Sequence, residues 1–158
     1  WVNEQGVDQV RFLGDVRGEA KARLMMESDI YLFPTSHGEG MPATLLEAMA
    51  YGMGVVTCSA GGVEDFFIDG EHGLLAPDAA ASTLGSRLEV LARDAALRER
   101  LGYNAHLFAR RWFAPRVAAR RLLAVVDQVR STPASVAAPD TDWFADGGLG
   151  STSGEAEP

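Results

Sequence analysis

Cysteine occurs once, no stretch of the chain stays apolar for long, and lysine and arginine are absent after residue 130. Each absence closes off a class of protein. A single cysteine, Cys58, makes no intramolecular disulfide and builds no Cys-rich zinc site. It ends the apolar run Val55-Val56-Thr57-Cys58 and reads as a small buried strand residue; a reactive thiol needs electropositive neighbours, and the sequence places none nearby. No apolar run approaches the roughly 18 residues that span a bilayer. No basic segment followed by an apolar one resembles a secretory signal. The chain opens on Trp1, and its first residues read as the middle of a fold, so an N-terminally truncated domain is expected.

The formal charge of −8 over 158 residues is unevenly spread. Residues 131–158 hold five acids (Asp140, Asp142, Asp146, Glu155 and Glu157) and no base; the other 17 of the 22 acids stand against 14 bases over residues 1–130, a net of −3. That near-balance offers no general attraction for nucleic acid. After Arg130 the composition turns to Ser, Pro, Ala, Asp and Gly, which predicts one folded domain over 1–130 and a disordered acidic tail over 131–158. Trp143-Phe144 is the one sticky spot in that tail, read either as a short docking motif or, preferably, as an incidental aromatic pair.

Apolar spacing within 1–130 alternates between two periods. Val10-Arg11-Phe12-Leu13 is a short strand-like run stopped by Gly14, and Glu19 to Glu27 carries helically spaced Ala22, Leu24, Met25 and Met26. Ile30-Tyr31-Leu32-Phe33, closed by Pro34, suits a buried parallel strand. A polar, glycine-containing loop runs to Pro42; Ala43 to Tyr51 is a helix stopped by Gly52; Gly54 to Cys58 is a further strand. Helices are predicted over 81–92, 94–111 and 115–129, the last with proline in its first turn. This grammar predicts an α/β fold: a partial, Rossmann-like parallel sheet with helices on both faces and a helical C-terminal end.

In such sheets ligands gather beyond the C-terminal ends of the strands, where the loop after Phe33 lies. The helix that follows Pro42 offers free N–H groups and a positive dipole end to an anion. Glu39 stands in the loop, and Glu47 lies about one turn inside the helix, on the side of the small residues Ala43 and Ala50. Carboxylates accept hydrogen bonds from paired hydroxyls, which suits both to sugar diols.

Glu39, seven intervening residues and Glu47 resemble the two-glutamate signature of retaining glycosyltransferases of the GT-B fold, most similar to glycosyltransferase family 4 (glycosyl transferases group 1). The resemblance is carried also by Phe33-Pro34, the Glu39-Gly40-Met41-Pro42 turn, Leu45-Leu46-Glu47-Ala48-Met49-Ala50-Tyr51-Gly52, Val55-Val56, Gly61-Gly62-Val63-Glu64-Asp65 and Asp69-Gly70-Glu71-His72-Gly73-Leu74-Leu75, and covers about residues 10–125. It implies that the chain is the donor-binding C-terminal part of such an enzyme. Glu39 would face the transferred sugar, stabilising and orienting the donor. Glu47 would hold the ribose hydroxyls, and the backbone from Gly40 through Met41, Pro42 and Ala43 to Thr44 would face sugar and diphosphate. The substrate would be a UDP-, GDP- or ADP-sugar and the acceptor a glycan or a lipid-linked acceptor. Transfer would retain anomeric configuration, with no cofactor and no tightly required metal.

The sequence departs from the family pattern at several places. Pro42 stands where many members have glycine, Gly54 where proline is usual, and Glu64-Asp65 where proline and glutamate are usual; Gly54 is expected to loosen the entry to its strand. The family's diphosphate-holding arginine and lysine, and its acceptor-binding N-terminal domain, would lie upstream, so this chain alone is expected not to catalyse transfer.

Plainer readings stand beside these. Glu47 could be a solvent-exposed helix residue and Glu39 an acid favourable to the helix dipole. His37 is either a neighbour of the sugar pocket or a surface loop residue, the second preferred; His72 and His106 read as structural or exposed. Gly61-Gly62 is either a turn or the second wall of the cleft, the position after a strand favouring the wall. Eight arginines over residues 98–130, against Glu99 and Asp127, suit either contact with an anionic membrane or helices packed on the sheet, and packing is preferred because arginine stems cover apolar surface. The resulting expectation is a cytoplasmic protein, with peripheral membrane contact as the variant. Two other functions stay open: a non-catalytic sugar-nucleotide-binding module, and a glycosidase carboxylate pair, which the strand-turn-helix setting disfavours.

Overall fold

Two apolar runs form adjacent strands, the first half-exposed along an edge of the sheet among the described residues and the second buried at its centre. In a computed structural model, which describes residues 9–36, 38 and 40–131, Ile30–Phe33 forms β1 and Gly54–Cys58 forms β2, paired in parallel with Ile30 opposite Gly54. A third strand, β3 (Leu74–Ala76), joins the other side of β2 in parallel, giving the order β1-β2-β3. β2 is buried at all five positions, as expected for a central strand of a parallel sheet.

The helices are α1 (Gly18–Glu27), α2 (Ala43–Ala50), α3 (Ala81–Arg93), α4 (Ala95–Phe113) and α5 (Pro115–Ser131). Alternation along β2 divides the core into two layers. Val55 joins Met25 of α1, Leu45, Ala48 and Met49 of α2, and Ala105 and Ala109 of α4. Val56 and Cys58 join Leu84 and Leu91 of α3 and Leu101 of α4. Helices therefore cover both faces of the sheet, as the sequence predicts. Gly52 ends α2 with φ 74°, a left-handed conformation that glycine adopts without strain. The chain divides into two units, residues 1–118 and 119–158. The sheet, α1 to α4 and the site belong to the first; of the second, only the rest of α5 lies among the described residues.

Three expectations change. The run Val10 to Gly14 is not a strand: no strand lies beside it among the described residues, and Phe12 is 78% exposed. An extended segment without a neighbour cannot pair its backbone polar groups. Gly54 does not loosen β2. Its N–H donates to Asp29 O at 2.9 Å, a bond proline cannot make, and the Arg98 stem occupies the space beside it. Arg98 also donates to Leu91 O at 2.8 Å, so packing holds for this arginine. Finally, β3 and a 3-10 turn (Gly61–Asp65) add elements that periodicity does not foresee. The predicted tail lies outside the described residues, apart from Ser131, which ends α5.

Candidate functional site

Parallel strands bring their C-terminal ends, Phe33, Cys58 and Ala76, to one edge of the sheet. The segments leaving that edge are the loop 34–42, Ser59-Ala60 with the 3-10 turn, and residues 77–80. The first two meet. A Cβ built on Gly62 would lie 2.1 Å from the Gly40 carbonyl oxygen, so the 3-10 turn touches the backbone of the loop before α2 at a contact only glycine permits. Gly62, with Gly61 at the start of the turn, therefore stands against the Gly40 backbone beyond the C-terminal end of β2. In the same segment the Ser59 hydroxyl hydrogen-bonds the Glu64 carboxylate, while the Asp65 carboxylate lies beside Gly62. The acid tied back into its own segment is Glu64; the acid facing the loop contact is Asp65.

α2 starts at this edge. Pro42 caps it with extended backbone (φ −67°, ψ 114°), its carbonyl accepting from Leu45 and Leu46 N–H, and no side chain caps the helix. Pro42 itself is buried, whereas Gly40, Met41, Ala43 and Thr44 are exposed. The first turn thus presents its backbone, with the positive end of the dipole, to whatever enters. Leu45, Ala48 and Met49 face the core and leave Ala43, Glu47 and Ala50 on the other side of the helix.

Glu47 is 44% exposed at its side chain, and its carboxylate is ion-paired with Lys21 of α1. Around that pair lies a pocket of about 520 Å³, lined by Asp15, Val16, Arg17, Gly18, Lys21, Ala22, Glu47 and Tyr51. A second, mostly apolar groove of about 350 Å³ opens between α2 and α4 and is also bordered by Glu47. The glutamate therefore stands between two cavities, one polar and one apolar.

The remaining candidates separate cleanly. Glu39 and His37 lie outside the described residues. His106 is structural, with its Nδ1 2.6 Å from Ala50 O. His72 is buried, 2% exposed, and also structural. Cys58 is buried, and burial pushes its thiol above the ordinary value, with the charge of Asp78 adding to the rise. Such a thiol is an inert strand residue. Among the described residues no three of His, Cys, Asp and Glu gather as a metal-binding group, and no helix is long and apolar enough to cross a membrane.

Lys21 and the Asp15 to Gly18 segment were not among the sequence candidates. Lys21 is 26 residues from Glu47 on another helix, and no local spacing rule joins them. Only the packing of α1 beside α2 reveals the pair.

Comparison with known proteins agrees with this geometry. Residues 2–108 match the family described as glycosyl transferases group 1. The phosphatidyl-myo-inositol mannosyltransferase of Mycobacterium tuberculosis (strain H37Rv) is 33% identical over 131 residues, covering 80% of this chain and 34% of the relative. Sucrose-phosphate synthase from Thermosynechococcus elongatus superposes with a TM-score of 0.74 at 26% identity, over 82% of this chain and 33% of that one. The C-terminal domain of a glycosyl transferase group 1 family protein from Francisella tularensis superposes with a TM-score of 0.60 at 27% identity, over 68% of this chain and 55% of that one. The chain spans between 25% and 34% of the length of the mycobacterial mannosyltransferases it matches first.

Proposed function

The chain belongs to the glycosyl transferases group 1 family, and from that premise we propose that its exposed sheet edge binds the nucleotide-sugar donor of a retaining glycosyl transfer. The observation that carries the proposal is the placement of Glu47, in an ion pair at the wall of a pocket, on a helix whose uncapped start adjoins the Gly40–Gly62 contact.

The nucleoside occupies the pocket between α1 and α2. Its volume of about 520 Å³ suits a small ligand. Glu47 accepts hydrogen bonds from the ribose hydroxyls, and Lys21 steadies the carboxylate. The diphosphate runs towards the backbone of Gly40, Met41, Ala43 and Thr44, where N–H groups and the helix dipole favour negative charge; Pro42 contributes no N–H but fixes the turn. Glu39, which precedes Gly40 in sequence, is assigned to the hydroxyls of the transferred sugar, and the Gly61-Gly62 turn, which rests on the Gly40 backbone, is assigned to the second wall of the cleft.

In this reading the departing diphosphate assists attack on the face it leaves, so configuration is retained. The protein contributes fixed donors and charges aimed at the developing transition state, and Glu39 orients the donor without forming a covalent bond to it. The nucleotide sugar is the substrate; no separate cofactor is assigned. The acceptor is a glycan or a lipid-linked molecule, and a further domain that binds it, together with a basic pair for the diphosphate, completes the enzyme. We place the reaction in the cytoplasm, or at a membrane surface when the acceptor is lipid-linked.

Calorimetric titration of the intact protein with UDP-, GDP- and ADP-sugars tests the proposal. One of the three should bind at micromolar to millimolar concentration and compete with its free nucleoside diphosphate. Absence of binding by all three, in a protein shown to be folded, would overturn it.

A further inference from the structure

The turn Ile68 to Gly73, between the 3-10 turn and β3, is built around a buried imidazole. Ile68 O accepts from Glu71 N–H at 3.2 Å and His72 N–H at 3.0 Å, and Ile68 N–H donates to His72 Nδ1 at 3.2 Å. An Nδ1 that accepts carries no proton, so the ring is the neutral tautomer protonated at Nε2. The ring packs at 4.2 Å between centroids on Phe108 of α4 and edge-on at 6.1 Å to Phe67. Phe67 N–H and Phe66 N–H both donate to Val63 O, in the 3-10 turn, and Phe66 packs edge-on against Phe113. A continuous chain of contacts therefore runs from His72, through Phe66 and Phe67, to the wall whose Gly62 rests on Gly40.

We propose that His72 is a positioning residue for the donor wall: as a neutral imidazole it staples the Ile68–Gly73 turn shut and holds the 3-10 turn against the Gly40 loop, and protonation releases both. A proton on Nδ1 replaces an acceptor with a donor facing Ile68 N–H, so the staple bond is lost and a charge is left in an aromatic enclosure. The groups around the ring set the direction. Burial pulls the imidazole below its ordinary value of 6.5; the negative charge of Glu71, on the same turn, and the hydrogen bond to the Phe66 backbone oppose it. His72 and Glu71 border a cavity of about 260 Å³ whose α4 side is lined by Arg111, which is charged, and by Asn104, Leu107, Phe108 and Trp112, which are not. A histidine lowered in the folded state contributes fully above its unfolded value of about 6.5, and that contribution declines as pH falls below it.

The effect on the donor rests on the reading under Proposed function, whereas the staple does not. The experiment measures two things on the intact protein between pH 7.5 and 5.5: the hydrogen-exchange protection factor of the Ile68 amide, and the affinity for the nucleoside diphosphate that binds at pH 7.5. Three forms are compared: the unsubstituted protein, His72→Asn, whose side-chain oxygen can accept from Ile68 N–H without titrating, and His72→Phe, which cannot accept. The Ile68 protection factor should fall severalfold, by up to about tenfold, on acidification in the unsubstituted protein, stay constant in His72→Asn, and be low at every pH in His72→Phe. Nucleotide affinity should follow the same pattern. Constant protection in the unsubstituted protein, or an equal acid loss in His72→Asn, overturns the staple. Protection that falls while affinity holds overturns the coupling to the donor wall. Failure of any nucleotide to bind at pH 7.5 instead defeats the donor reading and leaves the exchange result to decide the staple.

Discussion

Lys21 of α1 and Glu47 of α2 are ion-paired across the pocket between their helices, with side chains 35% and 44% exposed. An ion pair this open contributes little to folding, because water screens it and two long side chains lose freedom to form it. Its value lies in where it holds the carboxylate. Glu47→Ala should therefore leave the melting temperature within a few degrees of the starting value. It should weaken nucleotide binding by about 10- to 100-fold, the equivalent of about 1.5–3 kcal/mol for hydrogen bonds to a charged group. Calorimetry and thermal melting on one preparation check both halves. An unchanged dissociation constant would remove Glu47 from the site.

Glu39 carries a different expectation, since it is assigned to the transferred sugar. Glu39→Gln keeps the shape of the side chain and removes its charge. It should reduce the transfer rate of the intact enzyme by orders of magnitude while leaving the fold and the affinity for free nucleotide close to unchanged. Initial rates at saturating donor, beside a circular dichroism spectrum, are the measurement. Near-normal turnover would sink the role.

The contact of Gly62 with Gly40 admits no side chain. Gly62→Ala would place a carbon 2.1 Å from the Gly40 oxygen, a backbone atom that cannot swing away, so the wall must shift from the loop. Overpacking of this kind costs about 1–3 kcal/mol, and the shift moves the backbone that we propose faces the diphosphate. The variant should melt earlier and bind the nucleoside diphosphate more weakly, with the unphosphorylated nucleoside less affected. Equal losses for nucleoside and nucleoside diphosphate would show that the damage is global, not confined to the diphosphate wall.

Much of the framework was legible because it rests on local signals. Ile30 to Phe33 and Gly54 to Cys58 are short apolar runs bounded by breakers, and both are parallel strands. Leu45, Ala48 and Met49 alternate with Ala43, Glu47 and Ala50 at helical spacing, so the exposed side of α2 and the glutamate on it could be read in advance. Leu74–Ala76 is too short for any period to mark as a strand and exists because β2 offers it an edge. Val10 to Leu13 has the pattern of a strand but no adjacent strand among the described residues, and pattern alone does not supply hydrogen-bond partners. Lys21 is not legible in the sequence for the complementary reason. Its importance is purely tertiary, made by the packing of two helices.

Gly54 shows how a departure from a family pattern can be compensated at a distance in sequence. A Cβ at this position would lie 2.6 Å from Arg98 Cγ and 3.3 Å from its Cδ, so the arginine stem fills the volume that a larger residue at 54 would occupy. Arg98 is anchored there by its bond to Leu91 O, which limits how far the stem can move aside. Gly54→Ala should destabilise the protein by about 1–3 kcal/mol through overpacking. Arg98→Ala should cost about 1 kcal/mol through its lost hydrogen bond. If the two positions share one volume, removing the stem makes room for the new methyl group. The double variant should then be more stable than the sum of the single losses requires, by about 0.5–3 kcal/mol, as residues in direct contact commonly show. Denaturant unfolding of the four proteins in this cycle measures the coupling. Simple additivity would mean that Arg98 does not set the requirement for glycine at position 54, and that the Gly54 N–H bond to Asp29 O alone explains why proline is absent.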